Sequence, residues 1–161
     1  MKKMNNKGFS LVELIIVIAI MAILIVVLAP QYLKYVEKSR NSTDITNATE
    51  IVTALQVYAS DPDATTPIPN AAFDIEVTSA GGGAMTGFAK DALEEAGLLD
   101  GGTLTTRCVS RTKWTAYKIT ATPENGGLKF TYSASSPDNA NAAKDFKDAM
   151  AGVKSSTTSG D

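Results

Sequence analysis

Glu13 is the single charge in an otherwise apolar stretch. From Phe9 to Ala29 only Ser10 and Glu13 are not hydrophobic, and Leu14 to Ala29 is an uninterrupted apolar run. An acid at that depth either reaches headgroups near the end of the segment or awaits a cation. An ionised side chain at the centre of a membrane helix costs about 2.5–3.5 kcal/mol on insertion scales, and less near an end. Elsewhere the reactive inventory is short. The chain has no His, the commonest general base and metal ligand, and Cys108 is its only cysteine, so an internal disulfide and a zinc cluster are both excluded. Gly81-Gly82-Gly83 lacks the following Lys-Ser or Lys-Thr and the preceding strand of a phosphate loop. Asn41-Ser42-Thr43 and Asn47-Ala48-Thr49 match the glycosylation pattern but fall on an expected helix. These absences disfavour most hydrolase and metalloenzyme readings. No catalytic, metal or cofactor site is expected, and the chain is not expected to be an enzyme.

The elements that would carry these residues follow from pattern. As a helix, the 21 residues from Phe9 to Ala29 span about 31 Å, the thickness of a bilayer's hydrocarbon core. Apolar side chains point all around it, so it needs lipid or surrounding helices. Pro30 lacks an N–H and clashes with the Val26 carbonyl, so a kink or a local opening is expected there. Beyond it Ile45, Ala48, Val52, Leu55 and Ala59 form an amphipathic stripe flanked by Ile51 and Tyr58, and Asp61-Pro62 is a stop. One helix from Phe9 to Ser60 is therefore expected. Tyr32 and Tyr35 just after Pro30 suit either a membrane interface or lateral packing.

Residues 61–102 read as a loop holding one short helix, with Thr86 as N-cap, Phe88, Ala92, Leu93 and Ala96 as its apolar face, and Gly97 as its stop. Three strands follow: Leu104–Ser110, Lys113–Thr122 and Leu128–Ala134. The last two are joined by a turn containing Asn125-Gly126, the strongest local hairpin signal. In the second strand Trp114, Ala116, Lys118 and Thr120 share one face, and Thr115, Tyr117, Ile119 and Ala121 the other. Leu128, Phe130 and Tyr132 point inward from the third. Asp138 is the expected N-cap of a C-terminal helix anchored by Ala142, Phe146 and Met150, and Cys108 is expected as a buried strand residue. After Gly8 the chain holds 12 basic and 17 acidic side chains, net −5, so no nucleic-acid partner is expected.

Lys7-Gly8-Phe9-Ser10-Leu11-Val12-Glu13-Leu14, preceded by Lys2 and Lys3, resembles the class III signal of type IV prepilins and their pseudopilin relatives. A secretory signal peptide fits less well, because Pro30 would follow the cut and the apolar run holds Glu13. The resemblance implies that prepilin peptidase cuts between Gly8 and Phe9 on the cytoplasmic side and methylates the Phe9 amine. Gly8, without a Cβ, permits close approach of the enzyme. The new amine is the cation that Glu13 lacks, and pairing between neighbouring subunits would fix register, because an unpaired ion in low dielectric is heavily penalised. Pro30 stands where type IV pilins commonly carry proline, so Phe9, Glu13 and Pro30 are the expected assembly residues.

The implied fold is α+β: a long N-terminal helix on an antiparallel sheet of about three strands, with a loop helix and a C-terminal helix. The implied organisation is a leader at 1–8, a hydrophobic transmembrane and polymerisation helix at 9–35, a head at 36–154 and a disordered tail at 155–161. Many Gram-negative type IV pilins close the C-terminal region with a disulfide, which this chain cannot form. Major pseudopilins carry a calcium loop there, but Asp138, Asn139, Asn141 and Asp145 lack an EF-hand spacing, and capping explains Asp138.

The expected function is a structural subunit, the major pilin of a type IV pilus serving adhesion, motility or biofilm. The expected partners are copies of itself, prepilin peptidase, the inner-membrane assembly machinery and, before assembly, the cytoplasmic membrane as a single-pass precursor. The mature location is an extracellular pilus. A pseudopilin of a type II secretion or DNA-uptake system is the nearest alternative, and a membrane-anchored enzyme the remote one.

Overall fold

The computed structural model describes residues 9–156. The expected leader at 1–8 and all of the expected tail beyond residue 156 lie outside the described residues. The chain divides into two compact units, Met1–Lys38 and Ser39–Asp161. Helix α1, Leu11–Ser60, contributes to both.

In the first unit α1 begins at Leu11, two residues later than Phe9, because Ser10 caps it. The Ser10 hydroxyl accepts from Val12 N–H (3.3 Å) and its carbonyl accepts from Leu14 N–H (3.2 Å). The helix runs through Pro30 unbroken. Every residue from Phe9 to Tyr35 is exposed. This is the one helix among the described residues long and apolar enough to cross a membrane.

The second unit is built on the remainder of α1. Ile45, Ala48, Val52 and Leu55 of the expected stripe are buried, together with Asp44, Ile51, Ala54 and Tyr58. These apolar residues join one core with the inner face of a four-stranded antiparallel sheet. The strands are β1 (Phe73–Thr78), β2 (Gly81–Gly82), β5 (Ala116–Glu124) and β6 (Gly127–Ser135), in the order β2-β1-β5-β6. Register brings Ile75 opposite Ile119 and Val77 opposite Tyr117, while Ala121 faces Phe130. The β5–β6 hairpin turns on Asn125 (φ 51°) and Gly126 (φ 79°), the paired positive angles that a two-residue turn between twisted strands requires.

Three expectations are corrected here. The stretch 61–102 is not a plain loop. It contains β1, whose Phe73-Asp74-Ile75-Glu76-Val77-Thr78 alternation is a strand signal, and the ribbon of β3 (Leu99–Asp100) with β4 (Thr103–Leu104). Conversely, Leu104–Ser110 is not a strand. Only Thr103–Leu104 pairs, and the following residues are drawn instead towards Asp44. The C-terminal helix α3, Ala142–Ser156, begins at Ala142 rather than after Asp138. Asn139 organises its approach, its carbonyl and its side-chain oxygen accepting from Ala142 and Asn141 N–H.

Of the other local readings, Ala96 is corrected as well: it is the exposed C-cap of the loop helix, not part of its buried face. Helix α2, Gly87–Glu95, buries Phe88, Ala92 and Leu93. It ends in a Schellman motif, with Leu98 N–H donating to Leu93 O (2.8 Å) and Gly97 N–H to Glu94 O (3.0 Å) while Gly97 takes φ +72°. Thr86 is its N-cap by backbone, but its side chain makes no capping bond. In α3, Ala142, Phe146 and Met150 are buried. Phe146 stacks on Tyr117 at 4.9 Å and meets Trp114 edge-on at 5.1 Å.

Candidate functional site

The N-terminal segment presents its chemistry at the start of α1. Phe9 precedes the helix and is 82 % exposed. Glu13 folds back on the helix start, its Oε2 accepting from Ser10 N–H at 2.8 Å. With the Ser10 hydroxyl on Val12, this is a capping box, Ser-x-x-Glu, which satisfies two of the donors that a helix N-terminus leaves unpaired. The spacing is legible in the sequence as Ser10-Leu11-Val12-Glu13. The carboxylate also sits at the positive end of the helix dipole, where an anion is favoured. Pro30 lies in the same helix well removed from Glu13, so these two are not brought together. Gly8 lies outside the described residues. Tyr32 and Tyr35 are exposed.

Residues 3–29 match the protein family described as the prokaryotic N-terminal methylation motif. This segment has the pattern of a class III prepilin signal. It supports a type IV pilin-like prepilin whose long apolar helix suits membrane anchoring. Such a signal points to a structural protein handled by prepilin peptidase and an assembly machinery. No curated protein and no solved structure matches the chain. The fold is the α+β arrangement consistent with a type IV pilin, with the prepilin signal leading directly into α1.

A second cluster, buried and structural, escaped the sequence. Asp44 has no exposed surface, and its carboxylate collects donors from one distant segment. Val109 N–H reaches Oδ1 at 2.8 Å, Ser110 N–H reaches Oδ2 at 2.9 Å and the Trp114 indole N–H reaches Oδ2 at 2.8 Å. The Cys108 thiol adds a longer contact at 3.4 Å. A buried carboxylate is tolerable when its oxygens are satisfied in this way. Cys108 is buried as expected, in an irregular segment rather than a strand. Trp114 is buried although its alternation places it on the polar face of β5. The strand starts only at Ala116, so the alternation does not apply to it.

Tyr117 is also buried, and its hydroxyl has no hydrogen-bond partner among the described residues. Burial, followed by the neighbouring Asp44 charge, pushes its phenol well above the ordinary value.

The weaker motifs are structural in place. Gly81-Gly82 forms β2, and Gly82 lies directly against Leu104. Asn139 Nδ2 donates to Lys113 O (2.8 Å) and Asp145 Oδ2 (3.1 Å). Among the described residues no group of three or more His, Cys, Asp or Glu could hold a metal ion. Both glycosylation patterns lie in α1, where Thr43 and Thr49 donate their hydroxyls to the carbonyls of Ser39 and Ile45.

Proposed function

We propose that this chain is a filament subunit, the major pilin of a type IV pilus. It is held in the cytoplasmic membrane by α1, cut between Gly8 and Phe9, methylated at the Phe9 amine and polymerised through the apolar half of α1 into a surface fibre. The observation that carries this reading is the methylation motif at residues 3–29, which runs into an apolar helix whose residues from Leu11 to Tyr35 are all exposed. A surface of that kind needs lipid before assembly and neighbouring helices after it. Transfer from lipid to an equally apolar core brings little hydrophobic gain, so close packing and polar pairing decide register. In that packing the Phe9 amine of one subunit neutralises Glu13 of its neighbour. The compact head beyond Ser39, net acidic, suits the exterior of a fibre.

Mass spectrometry of the native N-terminus tests the processing, with methylated Phe9 as the expected first residue. Electron microscopy of sheared surface material tests the fibre. Long filaments containing this chain are expected, whereas processed chain that never leaves the envelope supports the pseudopilin reading instead.

A further inference from the structure

The head carries its charge unevenly along its own helix. Between Asp61 and Asp100 there are eight acidic side chains and one basic, while residues 101–161 hold eight basic and five acidic. The fold places parts of these two sections at opposite ends of the head portion of α1. Asp61 and Asp63 follow the helix directly and, beside Tyr58, line a cleft of about 260 Å³ with Asp91, Glu94 and Glu95 of α2. The nearby cation is Lys90, already on Glu94 at 2.7 Å. Arg107 and Lys113 flank the segment that Asp44 anchors, and both are exposed. Of the carboxylates near them, Asp44 is buried and occupied by its own donors, and Asp145 accepts from Asn139 Nδ2, which also donates to Lys113 O. From residue 44 to residue 61 the helix advances about 26 Å at 1.5 Å per residue. The head is therefore an electric dipole, basic at the end near residue 44 and acidic at the end near residue 61.

We infer that the acidic end is a docking surface for the basic end of a second copy of this chain. The inference rests on the filament reading above. Copies assembled through parallel N-terminal helices all point the same way, so any end-to-end contact between two heads is heterologous, residue-61 end against residue-44 end. Those ends carry opposite charge. Arranged in the reverse sense, or side by side, the same heads would set like charge against like, which favours one polarity.

Charge exchange in the full chain, expressed in its producing cells, tests the pairing by the yield of sheared filaments. Asp63→Lys with Glu95→Lys is expected to lower the yield at least tenfold, as is Arg107→Glu with Lys113→Glu. These four side chains are exposed and make no ion pair among the described residues, and the thermal midpoint of each detergent-solubilised precursor checks that the head still folds. The chain carrying all four changes has both signs reversed and is expected to recover to within about threefold of wild type. Wild-type filaments should also fragment more under the same shear at 1 M salt, where the screening length is about 3 Å. Normal yield from both two-site variants, no recovery in the four-site chain, or breakage independent of salt overturns the pairing and leaves the filament reading intact. Loss confined to the Arg107/Lys113 variant also overturns it, assigning that end to another surface such as anionic lipid. Absence of filaments from the wild type overturns the filament reading and the pairing together.

Discussion

The indole N–H of Trp114 donates to Asp44 Oδ2 at 2.8 Å across 70 residues of sequence. With Val109 and Ser110 N–H on the same carboxylate, it joins α1 to the segment entering β5. Asp44→Ala leaves the buried Ser110 and Trp114 N–H groups and the partly buried Val109 N–H without an acceptor, each buried one costing about 1–3 kcal/mol. A total loss of about 3–5 kcal/mol is expected, in line with removing one partner from a buried charged network. Asp44→Asn keeps a single oxygen and should fall between. Trp114 is the only tryptophan, so its fluorescence during denaturant unfolding of the detergent-solubilised chain reads the change directly.

Gly82 is required for a different reason. A Cβ at that position would lie 2.6 Å from the Leu104 Cβ, close to the backbone, where the neighbour cannot simply swing away. Gly82→Ala is expected to cost about 1–3 kcal/mol through overpacking. Gly83→Ala next to it meets nothing within 4 Å and serves as the control in thermal unfolding, with no comparable loss.

Alkaline pH should act through Tyr117. Its phenol is raised by burial and then by the Asp44 charge, so the folded state holds this proton more tightly than the unfolded state. The corresponding stability is complete below about pH 10, the unfolded phenol value, and is lost as pH rises beyond it. Phenolate absorbance should show this tyrosine ionising together with unfolding. Tyr117→Phe removes a hydroxyl that has no partner among the described residues and should leave neutral stability unchanged or raise it by about 1 kcal/mol. It should also weaken the alkaline decline.

The two roles open to Glu13 separate by substitution. Its hydrogen bond to Ser10 N–H needs an oxygen but no charge, so Glu13→Gln preserves the capping box while removing the anion. Ser10→Ala does the reverse, at a cost of about 1 kcal/mol to the helix start. If the pairing with the Phe9 amine sets subunit register, Glu13→Gln loses filaments while remaining processed, and Ser10→Ala retains them. Filament yield with N-terminal mass spectrometry decides, and equal yields from the two variants would reject the register role.

Legibility in the sequence followed the range of the interactions. The hairpin at Asn125-Gly126, the stop at Gly97 and the Ala142-Phe146-Met150 face are each set by residues within a turn or two of one another, and all three were readable. β1 was readable too, from its strict alternation, but the surrounding Pro, Gly and Asp residues obscured it. Asp44 was not. In the sequence it is one more polar residue on an amphipathic helix, and its burial exists only because backbone donors more than 60 positions away converge on it. The same convergence explains why Leu104–Ser110 fails as a strand: its N–H groups at Val109 and Ser110 are taken by a side chain. At the N-terminus, motif and apolar length were plain, whereas the local capping function of Glu13 required its geometry.

The Asp44 cluster also sets a path for mechanical load. A pull along the head portion of α1 reaches the sheet early, at a point where three short bonds to Asp44 share the strain in parallel, and Cys108 N–H carries it on to Thr78 O of β1 at 2.9 Å. Bonds loaded together must yield together, whereas a row peeled singly gives way one by one. A head fastened in this way resists extraction from its helix without a covalent cross-link.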